Sequence, residues 1–295
     1  MIKRKELEQY SVHLLAECCG TCILIFIGEG SIANYKFSRQ TSHSTFPITL
    51  AFGIGVYSAM MIAGSITGAH INPAVSLSLM TIGKLKPLQC IFYIIGQIIG
   101  GFLGGFLVYT VFQDQFNEFD GGIRQILGSN GTGDIFFTMP GKGVSHWNAF
   151  IDQFISTAFL MIYVMALTQD FNKMISERIK PFAFVLIVMG ITSAFSINAG
   201  AAMNPARDLG PRLFSAFIYG WKNVFTSHNY YFYIPIIGPI FGGIFGVWFY
   251  HGYLWIIINF GHLSNNQNKN DNYSDIQIKD DNSLELQQKL TSIDN

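Results

Sequence analysis

The chain is 295 residues long, half of them hydrophobic and only 12% charged, with a mean hydropathy of +0.34. Its 18 basic and 18 acidic side chains cancel, which gives no reason to expect nucleic acid or an acidic lipid surface as a partner. A soluble domain is excluded by the same figures, and the composition is that of a protein built into a lipid bilayer.

The polar start "MIKRKELEQY" leads into an apolar run that continues past the length of a signal-peptide core, so the first segment is expected to remain as a membrane helix. Apolar stretches follow one another at about 12–33, 47–66, 88–112, 149–168, 181–199 and 231–260, each near the roughly 20 residues that span about 30 Å of hydrocarbon. Six spans result. Cys18, Cys19, Cys22 and Cys90 all lie inside apolar stretches, where they read as small hydrophobes and not as a disulfide framework or metal site. The glycine-rich connection at 113–147 exceeds a simple turn and is expected to fold over one mouth of the bundle. It carries Asn130-Gly131-Thr132, a glycosylation acceptor pattern common enough to arise by chance. The sequence from 263 to 295 has almost no apolar periodicity and reads as a disordered tail.

Two stretches break the apolar pattern. "GSITGAHINPAVSLSLM" follows the second span and "GAAMNPARDLGPRLFSA" follows the fifth, so that Asn-Pro-Ala occurs at 72–74 and again, 132 positions on, at 204–206. Proline is favoured at the first position of a helix, and an asparagine just before it caps the free N–H groups of that turn. Each motif therefore starts a helix, and only about ten residues of helical pattern follow, half of a membrane thickness. Three spans and one short helix per half make repeats of about 11–112 and 148–261, and an odd span number turns the second repeat upside down. The short helices then enter from opposite faces with their N-termini meeting near the bilayer centre, where irregular backbone survives only in protein or along a water-filled cavity. Asn72 and Asn204 would offer N–H donors to a passing hydroxyl while two positive helix ends repel cations and protons.

Lysine and arginine placement sets the orientation. Lys3, Arg4, Lys5, Lys84, Lys86, Lys173, Arg178, Lys180 and the tail lysines would be cytoplasmic, with Lys36, Arg39, Arg124, Lys142 and Lys222 outside and both termini inside. Glu17 lies within the first span, and its expected task is to accept hydrogen bonds from backbone N–H groups around His70 and Asn72, a proton relay being the rival reading. Gln153 stands at the equivalent place in the second half. His70 is expected to brace the loop or line the pore, since no other ligand-type residue stands at metal spacing. No catalytic constellation or cofactor motif is present in the sequence.

"GAHINPAVS" and "MNPARDLGPRLF" resemble the aquaporin, or major intrinsic protein, family across about residues 8–262. Asp208 after Arg207, Arg212 after Pro211, the Pro235–Ile236 pair and the long connection before the fourth span are similar to its aquaglyceroporin branch. The resemblance implies an all-α membrane protein, a right-handed bundle of six transmembrane helices and two re-entrant half-helices, with a cytoplasmic N-terminus at 1–10, a channel domain at 11–262 and a homotetrameric assembly. It also implies an outer constriction, which counting from the asparagines without gaps places at Phe52, Thr192, Ala201 and Arg207. In the family, water-selective members carry His where Thr192 stands, and glycerol channels commonly carry a large aromatic where Ala201 stands, so this filter looks wide. Phe52 is expected to form an apolar wall opposite the donors of Arg207, with Asp208 as support. For Arg207 a lipid-facing, snorkelling role is the alternative. The implied activity is passive conduction of glycerol, other small uncharged solutes and water across the cell membrane, excluding ions and protons. An ion- or proton-coupled transporter and a junctional protein with little flux are the rival classes.

Overall fold

A computed structural model describes residues 4–38, 45–169 and 175–268. Among them six helices are long and apolar enough to cross a membrane. The first half contains α1 (Arg4–Phe37), α2 (Phe46–Thr67), the short α3 (Pro73–Thr81) and α4 (Pro87–Val111). After α5 (Gln113–Asp120) the second half contains α6 (His146–Thr168), α7 (Lys180–Ala199), α8 (Pro205–Tyr219), α9 (Trp221–Tyr230) and α10 (Ile234–Asn268).

The two breaks share one backbone geometry. α2 ends on Gly68 at φ +80° and α7 on Gly200 at φ +72°, left-handed positions that glycine adopts without steric cost. Beyond them Ala69 (φ +52°) and Ile71 (φ +46°) match Ala201 (φ +44°) and Met203 (φ +49°), and Asn72 and Asn204 are both extended. A left-handed β-branched residue such as Ile71 is an outlier that costs about 1–3 kcal/mol unless its surroundings dictate it. The chain strains the same way at the same repeat positions, so the duplication is more complete in backbone than in sequence.

Packing follows the repeat. α1 lies along α4 and α6 along α10, while α2 and α7 meet each other. Each short helix is exchanged, α3 packing on α10 of the opposite half and α8 on α4. At the α8–α4 crossing a Cβ on Gly210 would stand 2.7 Å from the Cα of Gly101, so that glycine is required for the backbones to touch. Outward-facing Leu15, Met61, Ile62, Phe182, Phe245 and Trp248 are exposed, an apolar girdle suited to lipid.

Several expectations change. α8 has 15 residues where about ten were expected, because Gly210 and Pro211, which look like breakers, sit inside it. Pro211 removes one helical hydrogen bond and the close α4 contact holds the turn regardless. The connection at 113–147 is not only a cover. It forms α5, then a 3-10 turn at Gly133–Ile135, and buries Ile135, Phe136 and Phe137 completely beside Phe116 and Phe214. Asn130 is exposed. α10 continues to Asn268, six residues into the segment read as tail, while the rest of the tail, Lys3, Arg39 and Lys173 lie outside the described residues.

Candidate functional site

Each asparagine caps its own short helix. Asn72 Oδ1 accepts from Ala74 N at 2.9 Å, and Asn204 Oδ1 accepts from Ala206 N at 2.9 Å and Arg207 N at 3.3 Å. The amide nitrogens cross between the halves: Asn72 Nδ2 donates to Met203 O at 2.9 Å and Asn204 Nδ2 to Ile71 O at 2.8 Å. A carboxamide nitrogen carries two N–H bonds, so each asparagine keeps one donor for a solute. Pro73, Ala74, Pro205 and Ala206 form the two buried first turns.

The strained loops are held from behind. Glu17, fully buried on α1, accepts from His70 N (3.0 Å), Ile71 N (2.6 Å), Thr67 Oγ1 (2.5 Å) and Gln97 Nε2 (2.8 Å). Hydrogen bonds to a charged acceptor contribute about 1.5–3 kcal/mol each, enough together to outweigh the strain at Ala69 and Ile71. In the other half Gln153 Oε1 accepts from Met203 N at 2.9 Å and its Nε2 donates to Ala199 O at 3.0 Å. An amide accepts at one atom only, so Gln153 holds one loop N–H where Glu17 holds two. His70 Nδ1 is 3.1 Å from Ser76 Oγ, the ring packs edge-on against Tyr93, and the residue also lines the cavity.

That cavity, about 530 Å³, runs from Thr45 and Ile48 at the start of α2 to Lys84 and Thr168 at the far ends of α3 and α6. Phe52, Thr192, Ala201 and Arg207 all line it, as do Asn72 and Asn204. The expected opposition of Phe52 and Arg207 is not what the structure has. The Arg207 guanidinium carbon lies 4.9 Å from the Phe52 ring centroid, a stacked pair with no room for a solute between them. The cation is held there because a weakly hydrated guanidinium is attracted to the face of an aromatic ring. The open part of this ring of residues is therefore the side of Thr192 and Ala201. Thr192 Oγ1 donates back to Val188 O at 2.7 Å, leaving only its acceptor capacity toward the cavity.

Asp208 has a partner the sequence did not reveal. Its Oδ2 accepts from Thr138 N (2.8 Å) and Thr138 Oγ1 (2.6 Å), and its Oδ1 from Arg212 Nε (2.7 Å). Arg212, almost fully buried, also donates to Thr138 O at 3.0 Å and stacks 4.1 Å over Phe137. The pair thus docks the long connection against α8. Arg207 has a carboxylate that sequence reasoning missed, Glu29 on α1, with Nη1 to Oε1 at 3.1 Å. A charge inside the first span was the available signal.

A cavity lined by α1, α2, α6 and α7 and by two half-helices that meet at their N-termini, within a bundle of six spans, defines a multi-pass membrane channel on an inverted repeat. A family model described as Major intrinsic protein matches residues 4–250, and the chain belongs to that family. Human Aquaporin-9 is 39% identical over 233 residues, covering 79% of each chain. Human Aquaporin-10 is 31% identical, covering 79% of this chain and 77% of its own, and Aquaglyceroporin-2 of Rhizophagus irregularis is 32% identical, covering 81% and 76%. The X-ray structure of the aquaglyceroporin from Plasmodium falciparum superposes with a TM-score of 0.74 at 29% identity, covering 82% of this chain and 95% of that one. Within the family the chain falls in the aquaglyceroporin branch.

Proposed function

We propose that the protein is a passive, bidirectional channel for glycerol, other small uncharged solutes and water, with no cofactor. The observation that carries this reading is the cavity itself, which joins apolar walls to a few fixed donors and, among the described residues, has no carboxylate in its lining. A coupled transporter needs a chain of titratable groups along its path, whereas here His70 is set against Ser76 in the central loop and Lys84 stands apart at one end. Here Glu17 and Glu29 stand behind the wall, each already holding donors.

Asn72 and Asn204 pass a hydroxyl from one amide to the other at the meeting of two helix N-termini, whose partial positive charge opposes cations and protons. Phe52, Thr192, Ala201 and Arg207 form the selecting constriction, with carbon against Phe52 and hydroxyls on the free Arg207 donors. The protein acts in the cell membrane with both termini cytoplasmic, and Lys36 bound to Asp134 at 2.6 Å accords with placing the end of α1 and the long connection on one outer face. It assembles as a homotetramer with one pore per subunit.

Swelling of proteoliposomes under glycerol and under sorbitol gradients tests the reading. Rapid water and glycerol entry with sorbitol excluded is expected. Flux that needs an ion gradient, or no flux above empty vesicles, overturns it.

A further inference from the structure

Glu29 has no task in conduction as described, yet it is fully buried beside the one cation of the constriction. Its Oε1 takes Nη1 of Arg207, and among the described residues its Oε2 has no hydrogen-bond partner. Two cations and two carboxylates stand together here. Asp208 is committed to Arg212 and Thr138, so the carboxylate available to Arg207 is Glu29, and the formal charges of the four side chains sum to zero.

We propose that Glu29 is a specificity-setting positioning residue: it anchors the Arg207 guanidinium against Phe52 and cancels its charge, so that the constriction selects by width and hydrogen bonding, not by a net positive field. This rests on the reading of Arg207 as a filter residue. Nη1 is occupied by Glu29 and lies 3.5 Å from Phe136 O, while the guanidinium carbon stands 4.9 Å from the Phe52 ring centroid. The edge that remains, Nε and Nη2, has no hydrogen bond among the described residues and stays available to solute hydroxyls. Without the carboxylate, an uncompensated cation in a low-dielectric wall gains by moving toward water in the lumen. It would then occupy the space beside Thr192 and Ala201. α1 thus serves the pore twice, with Glu17 holding the central loop and Glu29, 12 residues or about 18 Å further along the helix, holding the filter cation.

The test uses the full chain in vesicles at matched protein density, reading the glycerol-to-water permeability ratio and passage of nitrate. Glu29→Gln is expected to lower the ratio roughly two- to tenfold, the effect of losing one hydrogen-bonded anchor, and to admit nitrate, which a loss of packing alone does not do. Arg207→Ala is expected to change the ratio by itself, and adding Glu29→Gln to it to change the ratio no further. A Glu29→Gln channel with the parent ratio and no nitrate passage, beside an Arg207→Ala channel that differs, overturns the proposal and leaves the filter reading standing. An Arg207→Ala channel with the parent ratio overturns the filter reading, and this proposal with it. Should Glu29→Gln fail to fold, Glu29→Asp carries the test, since it keeps the charge but withdraws it by one methylene. A smaller fall in the ratio without nitrate passage is then expected, and an unchanged ratio overturns the proposal.

Discussion

Asn72 and Asn204 each donate to the carbonyl immediately preceding the other, 2.9 Å to Met203 O and 2.8 Å to Ile71 O, so the two halves of the channel are tied at their centre by a reciprocal pair of bonds. The same two side chains cap the half-helices through their oxygens. One amide thus does three things: it starts a helix, fixes the opposite loop, and keeps an N–H for the cavity.

Replacing either asparagine by aspartate separates these tasks. A carboxylate still caps, but it faces a carbonyl oxygen with no hydrogen to offer and adds negative charge between two positive helix ends. Asn72→Asp and Asn204→Asp are each expected to lose roughly 1–3 kcal/mol of stability through the unpaired buried carbonyl, and to lose glycerol flux or begin to pass cations. Matching geometry in the two repeats makes the two losses similar in size. Vesicle swelling and cation conductance check this, and two variants with parental flux and parental ion exclusion would sink the paired-cap account.

Glu17 is bonded to the backbone of the central loop, so its loss is expected to act on the loop and not on the solute. Glu17→Ala removes an acceptor of four hydrogen bonds and leaves His70 N and Ile71 N buried with nothing to accept them, next to a backbone already strained at Ile71. Yield and thermal unfolding temperature in detergent are expected to fall by far more than the glycerol-to-water ratio changes, with a cost of about 3 kcal/mol or more. Glu17→Gln should recover only part, because its nitrogen cannot accept. A well-expressed Glu17→Ala channel whose flux depends on a proton gradient would support the relay reading instead.

The spans, the inverted repeat and both caps were legible because their causes are local. Lipid forces long apolar helices, and Asn-Pro sets a cap within three residues of itself. What lay beyond the sequence was pairing at a distance. Glu29 and Arg207 are 178 positions apart, and Thr138 and Asp208 are 70 apart, so no spacing rule joins them. The connection at 113–147 was read as a cover because its glycines resemble a loop, whereas Ile135, Phe136 and Phe137 insert as core once Asp208 and Arg212 anchor the neighbouring Thr138. The adjacency of Phe52 and Arg207 was missed for a related reason: a gap-free alignment gives the members of a constriction but not their order around it.

Asp208 and Arg212 offer a direct measure of that anchoring. Removing one member of a buried ion pair leaves the other uncompensated, at a cost of about 3–5 kcal/mol. Asp208→Ala is therefore expected to lower the unfolding temperature sharply and to open the connection to limited proteolysis between α5 and α6. Parental stability with a protease-resistant connection would show that aromatic packing alone holds it.

The filter prediction follows from Arg207 lying on Phe52. Since nothing passes between ring and guanidinium, solute carbon and hydroxyl must pass beside the pair, on the side bounded by Thr192 and Ala201. Ala201→Phe places a ring in that space without removing an Arg207 donor, and Thr192→His fills it with a bulky polar ring. Both should cut the passage of glycerol and larger polyols more than that of water, lowering the polyol-to-water permeability ratio. Ala201 already sits at φ +44°, so a larger side chain there adds some backbone strain, and permeabilities must be compared at matched amounts of folded protein. Ala201→Gly supplies the opposite arm: it widens the passage, relieves the left-handed alanine, and should raise the ratio for larger polyols without loss of yield. A fall in the two bulky variants with a rise in the glycine variant places selection at this constriction. Three unchanged ratios would move it to the narrow meeting point of Asn72 and Asn204.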